Sequence, residues 1–167
     1  MIVVQIKNIK NFMNNLLLND MFDHFLLQEA TIVNGASYVI DGHVNKELYN
    51  TEELENLGVT DLDFFPYDQI RQKCLMIVKG KNTPGYFKFV FLLSPSDLAN
   101  TLSSIESTYT PLDISGMFLN IKFQNGQLTL TTGISYKTFN IDKSLDNEWD
   151  RLVRIFLTKN NIDFEIL

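Results

Sequence analysis

The sequence predicts an α+β protein in which two similar units build one layered sheet-and-helix domain. Asn34-Gly35, Gly42 and Lys46 recur without a gap as Asn125-Gly126, Gly133 and Lys137, at a constant offset of 91 residues. Asn-Gly favours a two-residue hairpin turn, because both central positions of a type I′ turn need positive φ and these residues adopt it most readily. Short runs of period-2 apolar residues also alternate with segments apolar at i, i+3, i+4 and i+7, the patterns of half-buried strands and one-faced helices. Such elements pack as a sheet layered with helices.

Ile2 to Ile6 opens the chain as a short strand, and Asn8 caps a helix whose stripe is Ile9, Phe12, Met13, Leu16 and Leu17. Phe25 to Val33 and Ser37 to Val44 flank the first Asn-Gly as a hairpin, with Gly42 bending or ending the second strand. After Tyr49 an acidic, turn-rich stretch runs to Pro66, followed by a helix from Tyr67 to Lys79 with Gly80 as its C′ residue. Tyr86 to Leu93 is a strand, and Ser94-Pro95 starts a helix with the stripe Leu98, Leu102 and Ile105. Met117 to Phe123 and Gln127 to Thr132 form the second hairpin, and Ile134 to Ile141 continues the sheet. The last helix carries Leu145, Trp149, Leu152, Val153 and Phe156 on one face, with Asp146, Glu148 and Asp150 near its positive end. Ile162 to Leu167 closes as a strand.

The apolar register supports the repeat. Ala30, Ile32, Val39 and Leu48 answer Ile121, Phe123, Leu130 and Phe139, and Val4, Ile6, Asn8, Phe12 and Leu16 answer Val90, Leu92, Ser94, Leu98 and Leu102 at an offset of 86. Each unit reads strand, helix, hairpin, strand, helix, strand. Unit one covers about residues 1–86 and unit two about 87–167, and Tyr86 to Leu93 ends one and opens the next.

At 167 residues the chain fits a single domain spanning 1–167, a size that buries about 70% of its extended surface. The 45% apolar content and 13 phenylalanines argue for an ordered core. A net charge of −6 opposes attraction to phosphate backbones and anionic lipid, and Lys7 and Lys10 are the only cations before residue 46. Nucleic-acid and membrane partners are therefore not expected. The single cysteine, Cys74, lies in an apolar pattern and suits a buried thiol in a reducing compartment. No basic start precedes a long apolar run, and no segment approaches 18 uncharged apolar residues, so a soluble cytoplasmic protein is expected.

Four segments offer chemistry. Asp20, Asp23 and His24 sit at i, i+3, i+4 near the first helix end, where they could converge on a metal. A solvated helix end, with His24 on the dipole, explains them better. Asp41-Gly42-His43 holds an acid and an imidazole but no nucleophile beside them, and a turn with a local hydrogen bond is the simpler reading. Val78-Lys-Gly-Lys-Asn-Thr-Pro-Gly85 could hold an anion, yet it follows a helix and lacks Walker spacing, which fits a C-cap loop with its lysines facing the negative helix end. Thr60-Asp-Leu-Asp-Phe-Phe65 loosely resembles the acidic-hydrophobic peptides that dock on sliding clamps, with Asp61 where their glutamine stands. Paired phenylalanines after a polar loop more often anchor it to the core.

Ile9-Lys-Asn-Phe-Met13, Phe22-Asp-His-Phe-Leu-Leu-Gln-Glu-Ala30, Ile40-Asp-Gly-His-Val-Asn-Lys-Glu47 and Lys79-Gly-Lys-Asn-Thr-Pro84 together resemble an uncharacterised family of small proteins from anaerobic Gram-positive bacteria. The resemblance runs the whole chain and implies no catalytic residues, because that family is of unknown function. The duplicated plan is separately similar to one domain of a processivity sliding clamp, an analogy of fold alone.

The functional expectation is a non-enzymatic cytoplasmic protein acting through protein contacts, with no catalytic, cofactor or metal residue assigned and the oligomeric state open. Two alternatives stand beside it. One is a small metal-dependent enzyme using Asp20, Asp23, His24, Asp41 and His43, which requires the first helix end to meet the first hairpin. The other is a clamp-like nucleic-acid module with lysines and arginines of both units in one stripe.

Overall fold

Phe87, Phe89 and Phe91 alternate with Tyr86, Lys88 and Val90, so one face of their strand is committed to the core. The computed structural model describes residues 1–139 and 141–167. In chain order the elements are β1 Val3–Ile6, α1 Ile9–Leu17, β2 Leu26–Val33, β3 Ser37–Asp41, α2 Thr51–Leu57, α3 Arg71–Val78, β4 Tyr86–Leu92, α4 Pro95–Ser103, β5 Ile114–Gln124, β6 Gln127–Tyr136, α5 Ser144–Lys159 and β7 Phe164–Ile166. The α+β class is as the sequence predicts.

The strands form one antiparallel sheet in the order β3-β2-β4-β5-β6-β1-β7. Directly paired residues share a face, and the row Ile40, Ala30, Phe89, Ile121, Leu130, Val4 crosses six strands. From Ala30 to Val4 its members have no exposed surface. The neighbouring row, Val39, Thr31, Lys88, Lys122, Thr129, Gln5, points the opposite way and is polar apart from Val39. On the apolar face, Phe22 stacks on Phe91 at 5.3 Å between ring centroids and Tyr67 meets Phe91 edge-on at 4.9 Å. There too α5 docks, the Thr132 hydroxyl donating to the Asp150 carboxylate. Trp149 is 4% exposed, its indole N–H donating to the Phe118 carbonyl at 2.9 Å.

Local chemistry sets the ends. The Asn8 side chain accepts from the Asn11 N–H at 3.0 Å to start α1, and Ser94 accepts from the Asp97 N–H at 3.2 Å to start α4. Tyr67 donates its hydroxyl to the Leu16 carbonyl at 2.9 Å, joining the approach to α3 to the end of α1.

The sheet departs from the expected plan in several places. β4, which closes unit one, lies beside β2, whereas its counterpart β7 lies beside β1 and away from β5. The two units thus have different strand orders, and the duplication and clamp-like plan are not confirmed. The turns differ as well. Asn125 and Gly126 adopt φ of 52° and 73°, as a type I′ turn requires, but neither Asn34 nor Gly35 has positive φ. Val33 pairs with Ser37 across a three-residue loop, and Asn34 instead sends its amide to the Ile77 carbonyl at 2.8 Å. The expected helix Tyr67 to Lys79 divides into a 3-10 turn, Tyr67–Gln69, and α3, which ends with Lys79 extended and Gly80 outside the left-handed region. β6 runs unbroken through Gly133 to Tyr136, and of the expected continuation to Ile141, Asn140 lies outside the described residues. The acidic stretch contains α2, closed by Gly58 at φ 69°.

Candidate functional site

Among the described residues β3 is an edge strand, paired on one side only. The Asn34 N–H donates to the Ala36 carbonyl at 2.9 Å and the Gly42 N–H to the Gln28 carbonyl at 3.0 Å. Antiparallel ladders alternate bonded and non-bonded pairs. That parity turns the main-chain groups of Tyr38 and Ile40 inward to β2 and those of Ser37, Val39 and Asp41 outward. Val39 is 72% exposed and Tyr38 44% exposed.

Beyond Asp41 the chain stays ordered because a returning segment pairs with it. The Phe65 N–H donates to the Gly42 carbonyl at 2.9 Å, the Val44 N–H to the Asp63 carbonyl at 2.8 Å, and the Leu27 N–H to the Phe65 carbonyl at 2.9 Å. Asp63 to Phe65 is thus wedged between the diverging ends of β2 and β3. The His43 N–H turns back to Asp41 Oδ1 at 2.9 Å, and its ring meets Phe64 edge-on at 5.7 Å.

The excursion between these two segments carries the charge of the molecule. Residues 41–68 hold eight acids (Asp41, Glu47, Glu52, Glu53, Glu55, Asp61, Asp63 and Asp68) against one lysine, Lys46, while the rest of the chain holds twelve acids against thirteen cations. Among the described residues none of those eight forms an ion pair. α2 lies within the excursion, held locally by a capping box in which Asn50 accepts from the Glu53 N–H at 2.8 Å and Glu53 from the Asn50 N–H at 2.9 Å. Two clefts open beside Phe64. One, of about 390 Å³, is lined by Gln28, Glu29, Val39, Asp41, His43 and Phe64. The other, of about 200 Å³, counts Leu26, Leu92 and Leu98 and the acids Asp61 and Asp63 among its lining residues. Glu29 stands directly opposite Asp41 across the ladder and pairs with Lys88 at 3.1 Å.

The other residues singled out in the sequence are spread over the fold. α1 ends at Leu17, so Asp20, Asp23 and His24 do not share a helical face. Asp23 is gripped by Arg71 through two bonds of 2.8 and 3.0 Å, which hold the guanidinium above its usual pKa, while His24 is exposed. Among the described residues no group of three or more His, Cys, Asp or Glu side chains is placed to hold a metal. Asp41 and His43 form the local turn described above. Lys79 and Lys81 lie in the loop after α3, and Phe64 and Phe65 are half-buried with their backbone in the sheet. Cys74 is buried, and desolvation pushes its thiol up to about 12. The sequence does carry a signal for α2, in Asn50-x-x-Glu53 and Gly58. It carries none for the free edge, because which strand ends a sheet is decided by long-range pairing.

A family model matches residues 15–165, from within α1 to within β7. The chain belongs to a family of unknown function (DUF5721). This agrees with the family resemblance carried by the quoted segments, and the matched span includes all of β2, β3, the acidic excursion and both clefts. Neither the curated proteins nor the solved structures contain a match. Among the described residues no helix is long and apolar enough to cross a membrane.

Proposed function

We propose that this protein is a non-enzymatic interaction module that binds another protein at the β3 end of its sheet. The observation that carries this reading is the free edge. Ser37, Val39 and Asp41 turn backbone donors and acceptors to solvent on a strand without proline or lysine, whereas protein edges are ordinarily blunted by such residues, by bulges or by covering loops. The side chains that could do chemistry support it from the other direction, since Asp23 is held by Arg71, Asp41 by the His43 N–H, and Cys74 is buried as a neutral thiol. A lone reduced cysteine suits a cytoplasmic setting.

The test is site-specific photo-crosslinking in the native host, with a benzophenone side chain at Val39 and, as a control, at Thr158 on the exposed side of α5. A discrete adduct from position 39 alone, identified and reconstituted as a purified complex, is the expected result. Equal adducts from both positions, or none from position 39, would overturn the reading.

A further inference from the structure

We infer that the partner's contribution is an extended cationic segment, added to β3 as an eighth strand with lysine or arginine alternating with β-branched residues. This rests on the interaction reading above and deepens it. Strand addition supplies affinity through main-chain hydrogen bonds and specificity through alternate side chains, and both elements are present here. Outward N–H and C=O groups of Ser37, Val39 and Asp41 offer the ladder. On the polar face, a residue of the added strand beside Asp41 meets that carboxylate, with Glu29 one strand further in and the 390 Å³ cleft that Phe64 helps to line alongside. The residue two positions away is again a cation, its stem lying along the exposed Val39, and the β-branched residues between them turn to the other face beside Tyr38 and Ile40. The cleft thus suits a long aliphatic stem ending in a cation.

Charge decides between the two kinds of strand that could pair here. A second copy would bring its own β3, and with it a second set of the eight acids of residues 41–68, which form no ion pair among the described residues, close to the first. Two such concentrations of like charge brought close together repel. The same field draws in a basic segment, because the remainder of the chain is nearly balanced in charge and does not offset it.

The experiment uses the whole chain and a blocked peptide of alternating lysine and valine, seven residues long, with a glutamate-valine peptide as control. Fluorescence anisotropy reads affinity and amide hydrogen exchange reads the edge. The lysine peptide is expected to bind, more weakly as salt rises, and to protect Ser37, Val39 and Asp41, while the glutamate peptide does not bind. Val39→Pro deletes an outward donor together with the valine side chain, without touching the inward bonds to β2, and is expected to weaken binding by about tenfold. Asp41→Asn keeps an oxygen for the His43 N–H, removes the charge, and is expected to weaken binding severalfold with a shallower salt dependence. Unchanged affinity in both variants would place the peptide elsewhere and overturn strand addition while leaving the interaction reading intact. A doubled mass without peptide, with the edge protected, would make a second copy the occupant and overturn the cationic strand. No peptide binding would overturn it as well, and only the crosslinking result above decides whether the interaction reading falls with it.

Discussion

Gly42 packs against Leu27 so closely that an added Cβ would stand 1.8 Å from the Leu27 carbonyl oxygen and 2.8 Å from its carbon. Both neighbours are backbone, and neither can swing aside. At this point β2 and β3 part to admit Asp63 to Phe65, and Gly42 binds both sides through its N–H to Gln28 and its carbonyl to Phe65. The wedge, the acid excursion and the continuation of the β3 edge all depend on that approach.

Gly42→Ala is therefore expected to cost about 3 kcal/mol or more, at the upper end for overpacked sites. Gly133→Ala, where nothing lies within 4 Å of an added Cβ, is the control and should be neutral or stabilising. Urea denaturation midpoints check both. Equal midpoints would mean that the strands do not approach as described.

The two Asn-Gly turns should separate in the same way. Gly126 has φ of 73°, so Gly126→Ala is expected to cost about 1 kcal/mol, whereas Gly35, outside the left-handed region and with open space around it, should accept alanine within about 0.5 kcal/mol. Thermal unfolding of the pair gives the answer.

That contrast shows where the sequence stops being legible. Strands and amphipathic helices follow from residues that interact with near neighbours or with a featureless core, and Asn8, Ser94 and the stripe of α5 say where they begin and what they bury. Asn34 reads as the twin of Asn125 only while Ile77 is out of view, because the amide that could shape a turn is spent on a carbonyl 43 positions away. The same holds for the order of strands. β1 pairs with β6 and β7 rather than with β2, a choice made by long-range closure and not by local pattern. α2 is the reverse case, a helix written in caps alone with no buried side chain, so a search for apolar stripes passes over it.

Trp149 tests the packing of α5. The indole is nearly enclosed and its N–H is bonded to the Phe118 carbonyl, so Trp149→Ala is expected to cost about 3 to 5 kcal/mol. Trp149→Phe keeps much of the volume, leaves that carbonyl without its donor, and should cost less. A loss below about 1 kcal/mol for alanine in denaturant titration would place the ring at the surface.

Cys74 gives a prediction in pH. The unfolded thiol ionises near its ordinary value of 9.0, while burial pushes the folded thiol up to about 12. Below pH 9 both states are protonated and the contribution to stability is fully present. As pH rises from 9 toward 12 the unfolded state loses its proton and the folded state keeps it, so stability falls by at most about 1.4 kcal/mol per pH unit from this group. Tyr67 lies beside it with a phenol raised first by burial and then by Cys74, and it adds a similar loss beginning near its ordinary value of 10.0. Urea midpoints measured from pH 8 to 10 should therefore decline in the native sequence and hold nearly level in Cys74→Ala. Thiol labelling of the folded protein at pH 8 should proceed only as fast as the chain opens. Rapid labelling, or identical pH slopes in the two proteins, would show that solvent reaches the sulfur and that α3 does not cover it.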